Sequence, residues 1–277
     1  VLFPKPSKAL FGPWLAALER HGKSEIVSDE LDYWKQVCGP ATDAIADLSG
    51  GNGDIHRVLP GGRPTAVQNR ILLEKFPSPM ERQALFLAAL SRAVTDFRDT
   101  SSPLVLVESN GRHPFVGTDP QRAVGWFVSQ FPVRVTTHPE NGPLADYEAA
   151  RQSLLTVPNA GIGYGLLHSR PKSDPARIEM EGLQQPGIYF QYRGNIDDTF
   201  RKNATLPVIG VHNVLDPSQG AQRRSSVSQS ICLIAVVSKG TLSWSIAYEG
   251  ADLEGQAREL NDGVGRFLAA IAEAEHS

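Results

Sequence analysis

The chain has 277 residues, of which 41% are hydrophobic and 21% charged, and its formal net charge is −3. This composition is that of a globular protein and excludes a disordered or fibrous chain. The mildly acidic balance also argues against non-specific binding to nucleic acid or to a membrane surface, because both need a cationic protein. Cys38 and Cys232 are too few for a disulfide framework, so we expect two buried thiols in a reducing cytoplasm.

The first hundred residues combine helical periodicity with one loop-rich stretch. Residues 8–20 and 28–37 place apolar side chains at helical spacing, the second segment with Leu31, Trp34 and Val37 on one face. The remainder of this region predicts strands near residues 55–59 and 70–75, which form an antiparallel edge, and then a helix over residues 79–97.

The middle of the chain predicts two strands separated by a turn, followed by a helix and a loop. A short apolar strand over residues 104–107 ends at Glu108, and residues 109–112 are typical of a turn. The segments that follow are predicted to be a strand within residues 123–137, a helix over 143–156 and a loop interrupted by Pro and Gly over 157–165.

The last third of the chain is rich in strands. Ile188, Phe190 and Tyr192 alternate with other residues, as in a half-buried strand. Beyond them we predict a long polar crossover loop over residues 193–229, strands over 231–237 and 242–248 joined by a turn at Lys239-Gly240, and a closing helix over 252–274. This mixed order predicts an α/β fold, an α+β sandwich with a mixed sheet flanked by helices.

Several common catalytic signatures are missing from the sequence. It contains no phosphate-binding G-x-x-x-x-G-K-[ST], no H-E-x-x-H and no G-x-S-x-G. Its seven histidines are scattered, so we expect no metal site. Without further information, the residues indicate an α/β domain with one candidate acid, Glu108, at the end of a strand.

Four segments, in order along the chain, resemble motifs of the condensation and epimerization domains of nonribosomal peptide synthetases. They are E-S-N-G-R at 108–112, R-A-V-G-W-F at 122–127, P-N-A-G-I-G-Y-G at 158–165 and F-Q-Y-R-G-N at 190–195. The family motifs that they resemble are E-G-H-G-R-E, R-T-V-G-W-F, P-x-x-G-x-G-Y-G and F-N-Y-L-G-Q. The V-G-W-F and G-I-G-Y-G forms are more typical of epimerization domains.

The resemblance implies a chloramphenicol-acetyltransferase-like lobe. Domains of this family have two such lobes, and residues 1–277 are similar to the C-terminal one. The N-terminal lobe carries H-H-x-x-x-D-G, and this sequence contains no His-His pair. We therefore expect the partner lobe to be missing or to lie on another chain, and the isolated C-terminal lobe to be inactive.

The resemblance also implies a reaction and a set of site residues. Epimerization inverts the α-carbon of an aminoacyl or peptidyl thioester on the phosphopantetheine arm of a peptidyl carrier protein, with no cofactor bound directly. Glu108 then corresponds to an acid/base group, and Tyr192 to a hydrogen-bond donor for the enolate oxygen. The candidate substrate-binding residues are Arg112, Trp126, Gly163, Tyr164 and Gln191.

Structural roles are open for the same residues. Glu108 could be a solvated strand end and Tyr192 an inward-facing aromatic, while Arg112 could order its turn and Trp126 could belong to the core. Ser109 and Asn110 also stand where the motif has Gly-His. Two alternative functions therefore stay open: a condensation domain lobe, and a degenerate module that recruits a tailoring enzyme such as a cytochrome P-450.

Overall fold

The structure is a computed structural model, and it describes residues 11–39, 56–98, 100–112, 120, 125–196 and 230–274. These residues form two compact units, each assembled from separate parts of the chain. The first unit takes its described residues from 11–39, 107–132 and 157–185, and the second takes them from 56–106, 133–156 and 186–274.

The part of the chain that is described contains eight α-helices and six strands. The helices are α1 (Phe11–Gly22), α2 (Glu25–Cys38), α3 (Ala66–Lys75), α4 (Pro79–Phe97), α5 (Pro143–Leu155), α6 (Ile162–His168), α7 (Pro175–Glu181) and α8 (Glu254–Ala274). The strands are β1 (His56–Pro60), β2 (Leu104–Ser109), β3 (Ser129–Arg134), β4 (Ile188–Asn195), β5 (Ile231–Ser238) and β6 (Thr241–Glu249).

The six strands form one sheet in the order β1-β6-β5-β4-β2-β3. Strand β5 pairs with β4 in parallel and with β6 in antiparallel orientation, so the predicted mixed sheet is confirmed. Strand β1 pairs antiparallel with β6 at one edge, so the strand predicted near residues 55–59 is confirmed, but its partner is β6 and not residues 70–75. Lys239 and Gly240 both have positive φ, at 50° and 67°, which is the geometry of a two-residue hairpin turn.

The core of the second unit lies between this sheet and helices α4 and α8. Helix α4 begins with a capping box, in which Ser78 accepts from the backbone N–H of Glu81 and the Glu81 side chain accepts in return. The helix packs against α5, α8 and β4. Because it is covered from several sides, α4 buries an almost continuous run of apolar residues.

Helices α1, α2, α6 and α7 form the core of the first unit. Trp34 is fully buried, and its ring meets that of Tyr164 edge to face at a centroid distance of 5.1 Å. Trp14 and Phe127 form a smaller cluster, with ring centroids 4.8 Å apart.

Three local predictions were wrong. Residues 70–75 belong to helix α3 and not to a strand, because Thr65 and Gln68 form a capping box that starts a helix at Ala66. Helix α2 begins at Glu25, and its buried stripe is Val27, Glu30, Trp34 and Cys38, with Leu31 and Val37 only half-buried. The predicted loop at 157–165 becomes helical from Ile162 onward.

Two further expectations are met only in part. The structure buries Cys38 and leaves Cys232 half-buried. Most of the predicted crossover loop lies outside the described residues, but residues 193–195 belong to β4. Within the described ranges, none of the helices combines the length and apolar character that crossing a membrane requires.

Candidate functional site

Glu108 lies half-buried near the end of β2, immediately before a segment that two local side-chain hydrogen bonds close. The Oγ of Ser109 accepts from the Gly111 backbone N–H over 3.3 Å, and the Oδ1 of Asn110 accepts from the Arg112 N–H over 3.0 Å. Both are local side-chain bonds typical of turns. Residues 109–112 are thus closed by two side-chain turns, which Ser109 and Asn110 provide, and not by a regular backbone turn.

Gly111 lies in this segment in close contact with neighbouring backbone. Its φ is +61°, and a Cβ atom there would lie 1.6 Å from the carbonyl oxygen of Phe127. Only glycine avoids both the strained backbone and the clash. The glycine of the E-S-N-G-R segment thus brings the turn against the backbone that follows Trp126.

Arg112 and Trp126 differ in their surroundings. Arg112 donates from Nη1 to the carbonyl oxygen of Pro120 over 2.6 Å, and its guanidinium lies 4.4 Å from the ring centroid of Phe127. Both contacts fit a role in ordering the turn, and substrate binding by Arg112 stays a prediction. Trp126 is 75% exposed, so its assignment to the core was wrong, and its role in substrate binding stays a prediction.

The glycine-rich motif forms a strained turn followed by helix α6. Asn159 and Ala160 have φ values of 45° and 52°, and Gly161 follows at 80°. Gly163 packs against the carboxylate of Glu30, because a Cβ atom at position 163 would lie 1.9 Å from Oε2. Gly161 and Gly163 of the motif therefore allow side chains of Phe131 and Glu30 to approach the backbone closely.

Tyr164 is buried in the same unit. Its hydroxyl donates to the Oε1 of Gln185 over 3.2 Å, and burial raises the pKa of the phenol well above its usual value. Tyr164 therefore stays neutral and acts as a packed aromatic with one satisfied hydrogen bond. Its predicted contact with substrate stays a prediction.

Tyr192 and Gln191 point to opposite faces of β4, as neighbouring residues of a strand do. The ring of Tyr192 stacks on Phe86 of α4, with centroids 6.4 Å apart. Burial raises the pKa of Tyr192, and the nearby guanidinium of Arg82 opposes that rise. No hydrogen bond of good geometry reaches this buried hydroxyl from the described residues. Gln191 accepts from the Nε of Arg193 over 3.0 Å.

The two units divide the predicted site residues between them. The first unit contains Glu108, Arg112, Trp126, Gly163 and Tyr164, and the second contains Gln191 and Tyr192. Among the described residues, no three His, Cys, Asp or Glu side chains are placed to hold a metal ion together.

Sequence reasoning missed Glu30, Asn159 and Arg82. Glu30 accepts from the Nδ2 of Asn159 over 2.6 Å and from the Nε1 of Trp34 over 3.3 Å. The available signal was the position of Glu30 four residues before Trp34, on the apolar stripe of a helix. Arg82 gave no comparable signal, because its burial against Tyr192 depends on how α4 packs on β4.

Comparison with known proteins places this fold in a family. One of the proteins that make up the linear gramicidin synthase of Brevibacillus parabrevis is 30% identical over 205 residues, which is 71% of this chain and 4% of that protein. Tyrocidine synthase 2 of the same organism is 24% identical over 281 residues, which is 99% of this chain and 8% of that protein. The chain thus spans a small fraction of the length of these relatives. No family model matches the sequence.

Solved structures resemble the chain over nearly its whole length. The epimerization domain from the third module of a tyrocidine synthetase superposes with a TM-score of 0.72 at 23% identity, covering 99% of this chain and 61% of that one. The condensation domain of Monacolin K polyketide synthase gives 0.62 at 12% identity, covering 98% and 63%. The fold is therefore a chloramphenicol-acetyltransferase-like α/β fold. The chain belongs to the condensation and epimerization domain superfamily of nonribosomal peptide synthetases.

Proposed function

We propose that this chain is the C-terminal lobe of an epimerization-type domain. The observation that carries the proposal is the place of Glu108 at the end of β2, directly before a turn that Ser109, Asn110 and Gly111 fix. The segment around Glu108 is also the first of four epimerization-like motifs that occur in order. The fold of the tyrocidine synthetase epimerization domain supports the same assignment.

Glu108 serves as one of two acid/base groups in this proposal. Its carboxylate takes the α-proton of an aminoacyl thioester, and the electron pair of the C–H bond moves into the thioester carbonyl to form an enolate. A second group returns a proton to the opposite face, which inverts the α-carbon. By resemblance, that second group is a histidine of the N-terminal lobe. No proton is gained or lost overall.

Tyr192 is the candidate donor to the enolate oxygen. A neutral phenol can stabilise a developing oxyanion by donating a hydrogen bond. The raised pKa of Tyr192 keeps the phenol protonated, as this role requires. Arg112 and the exposed Trp126, which lie in the same unit as Glu108, are proposed to line the path of the substrate.

The substrate and the partners follow from the same assignment. Relatives of the chain are synthases of linear gramicidin and tyrocidine. We therefore propose that a peptidyl carrier protein delivers the substrate on its phosphopantetheine arm, and that an N-terminal lobe completes the domain. The product is the same thioester with its α-carbon inverted, in a pathway of peptide antibiotic synthesis.

A second candidate function is recruitment of a tailoring enzyme. Asn110 stands where the motif has a titratable histidine, and its side chain stabilises the turn. Trp126, at 75% exposure, offers an indole to a partner surface. In this case Trp126→Ala removes partner binding and leaves the fold intact, whereas Glu108→Gln has no effect on binding.

The test of the main proposal is exchange of the α-proton for deuterium on a carrier-bound aminoacyl thioester. The assay uses the chain within its complete domain, as wild type and as Glu108→Gln. We expect exchange by the wild type and its loss in Glu108→Gln with folding preserved. Glu140→Gln is the matched control, since that side chain is exposed. Equal exchange by wild type and Glu108→Gln would refute Glu108 as the base.

A further inference from the structure

Glu30 is a buried carboxylate that the proposed reaction does not use. It lies on α2 with 5% of its surface exposed. Asn159 Nδ2 donates to Oε1 over 2.6 Å, and Trp34 Nε1 donates to Oε2 over 3.3 Å. Both donors are neutral, so each compensates only part of the cost of burying a carboxylate. A glutamate in this place calls for a specific structural or functional reason.

The donor Asn159 belongs to an unusual stretch of backbone. Asn159, Ala160 and Gly161 follow one another with φ values of 45°, 52° and 80°. A left-handed conformation costs about 1–2 kcal/mol for a residue with a side chain, and Ala160 has no polar group to offset that cost. The bond from Asn159 to Glu30 is the side-chain contact that ties this turn to α2.

Gly163 faces the same carboxylate from the first turn of α6. A Cβ atom at position 163 would lie 1.9 Å from the Oε2 atom of Glu30 and 2.4 Å from its Cδ. The carboxylate thus fills the space that any larger residue would need. Gly165, two residues further along the motif, has no neighbour within 4 Å of such a Cβ.

We propose that Glu30 is a positioning residue for the glycine-rich motif. Its carboxylate holds the left-handed turn at 159–161 through Asn159, and Gly163 is glycine because the carboxylate occupies that space. The functional part of this inference rests on the proposed function, in which the motif belongs to the site of an epimerization-type domain. The structural part stands independently of it.

A double-mutant cycle between positions 30 and 163 tests the structural part. Gly163→Ala alone should lower the folded-to-unfolded equilibrium constant by about tenfold or more, whereas in a Glu30→Ala background it should cost much less, since the clash is gone. Gly165→Ala is the control: it lies in the same helix with open space at its Cβ, so it should be neutral or slightly stabilising, and equally so in both backgrounds. Equal effects of Gly163→Ala in both backgrounds would overturn the steric claim.

The hydrogen bonds of Glu30 have their own spectroscopic readout. Glu30→Ala and Glu30→Gln should shift the indole N–H resonance of Trp34 and speed hydrogen exchange of the backbone amides at 159–163, with the smaller change for Gln. An unchanged indole resonance and unchanged exchange would show that Glu30 does not hold the turn. These measurements need no catalytic activity, so they test the structural role of Glu30 even if the proposed function is wrong.

Kinetics then test the link to the reaction. In a complete domain whose wild type exchanges the α-proton, Glu30→Gln should lower the turnover and leave the KM for carrier-bound substrate unchanged. Turnover equal to wild type, despite a loosened turn, would contradict the positioning role. Absence of exchange in the wild type itself would instead count against the proposed function.

Discussion

Asp146 and Arg92 form an ion pair that joins α5 to α4. Asp146 is fully buried, and its Oδ2 accepts from the Nη1 of Arg92 over 2.9 Å. Its other oxygen, Oδ1, accepts from the backbone N–H of His138 over 2.7 Å. The carboxylate therefore accepts one hydrogen bond from the backbone of the segment that precedes α5 and another from the guanidinium on α4.

Removal of this carboxylate should destabilise the second unit strongly. We expect Asp146→Ala to lower the free energy of unfolding by about 1–3 kcal/mol, because it leaves the backbone N–H of His138 and the Nη1 of Arg92 without their acceptor. Arg92 keeps its bond from Nε to Asp96. Asp146→Asn should cost less, since the amide oxygen can still accept. Urea unfolding of the three proteins measures the difference.

The exposed pair of Glu148 and Arg151 on the same helix provides a control. The Glu148 side chain is 56% exposed, and exposed ion pairs contribute at most about 1 kcal/mol. Glu148→Ala should therefore change stability only slightly. An Asp146→Ala variant as stable as Glu148→Ala would show that the buried pair does not hold α5 in place.

A second prediction concerns Gly111, in the segment that follows Glu108. Gly111→Ala introduces a left-handed alanine and a contact of 1.6 Å with the Phe127 carbonyl. Gly240→Ala introduces only the left-handed conformation, because no atom lies within 4 Å of its Cβ. We expect Gly240→Ala to cost about 1–2 kcal/mol and Gly111→Ala to cost clearly more. Thermal unfolding of both variants measures the two losses of stability. Equal losses would contradict the close approach of Gly111 to the Phe127 carbonyl.

The pH dependence of the free energy of unfolding should reveal the titration of Glu30. Burial raises the pKa of its carboxyl above the ordinary 4.5, so the folded protein keeps a proton that the unfolded chain has released. As pH rises from the unfolded pKa through the folded one, the contribution of Glu30 to the free energy of unfolding therefore decreases. Glu30→Gln does not titrate and should lack this decrease.

The measurement is urea unfolding of wild type and Glu30→Gln at pH steps from about 4 to about 7.5, a range that brackets the pKa of a buried glutamate. The stability of wild type relative to Glu30→Gln should fall across this range and then level off. A relative stability that increases with pH would mean that the bonds from Asn159 and Trp34 outweigh burial and lower the pKa.

The sequence predicted well those elements whose pattern matched their burial. Strand β4 alternates and is covered unequally on its two faces, while β5 is apolar throughout and lies between β4 and β6. Helix α4 has a long apolar run and a Ser78–Glu81 capping box. In each case local pattern and tertiary environment agree, so the pattern alone was sufficient.

The errors came from features that compete with the hydrophobic pattern. Residues 70–75 contain Ile71, Leu72 and Leu73 in a row, which resembles a strand, but the capping box at Thr65 starts a helix. The first site motif was predicted as a turn, and local bonds of Ser109 and Asn110 close it. The contact between Glu30 and Asn159 could not be predicted, because 129 residues separate them and only the packing of α2 against the turn brings them together.

The configuration of the product tests the central claim most directly. The complete domain that contains this chain is given an L-aminoacyl thioester on its carrier protein, and the amino acid is released and separated by chirality. Inversion at the α-carbon predicts that the D form accumulates with time and that Glu108→Gln prevents it. An amino acid that keeps its L configuration, while an amide bond forms or a tailoring enzyme binds, would contradict the account.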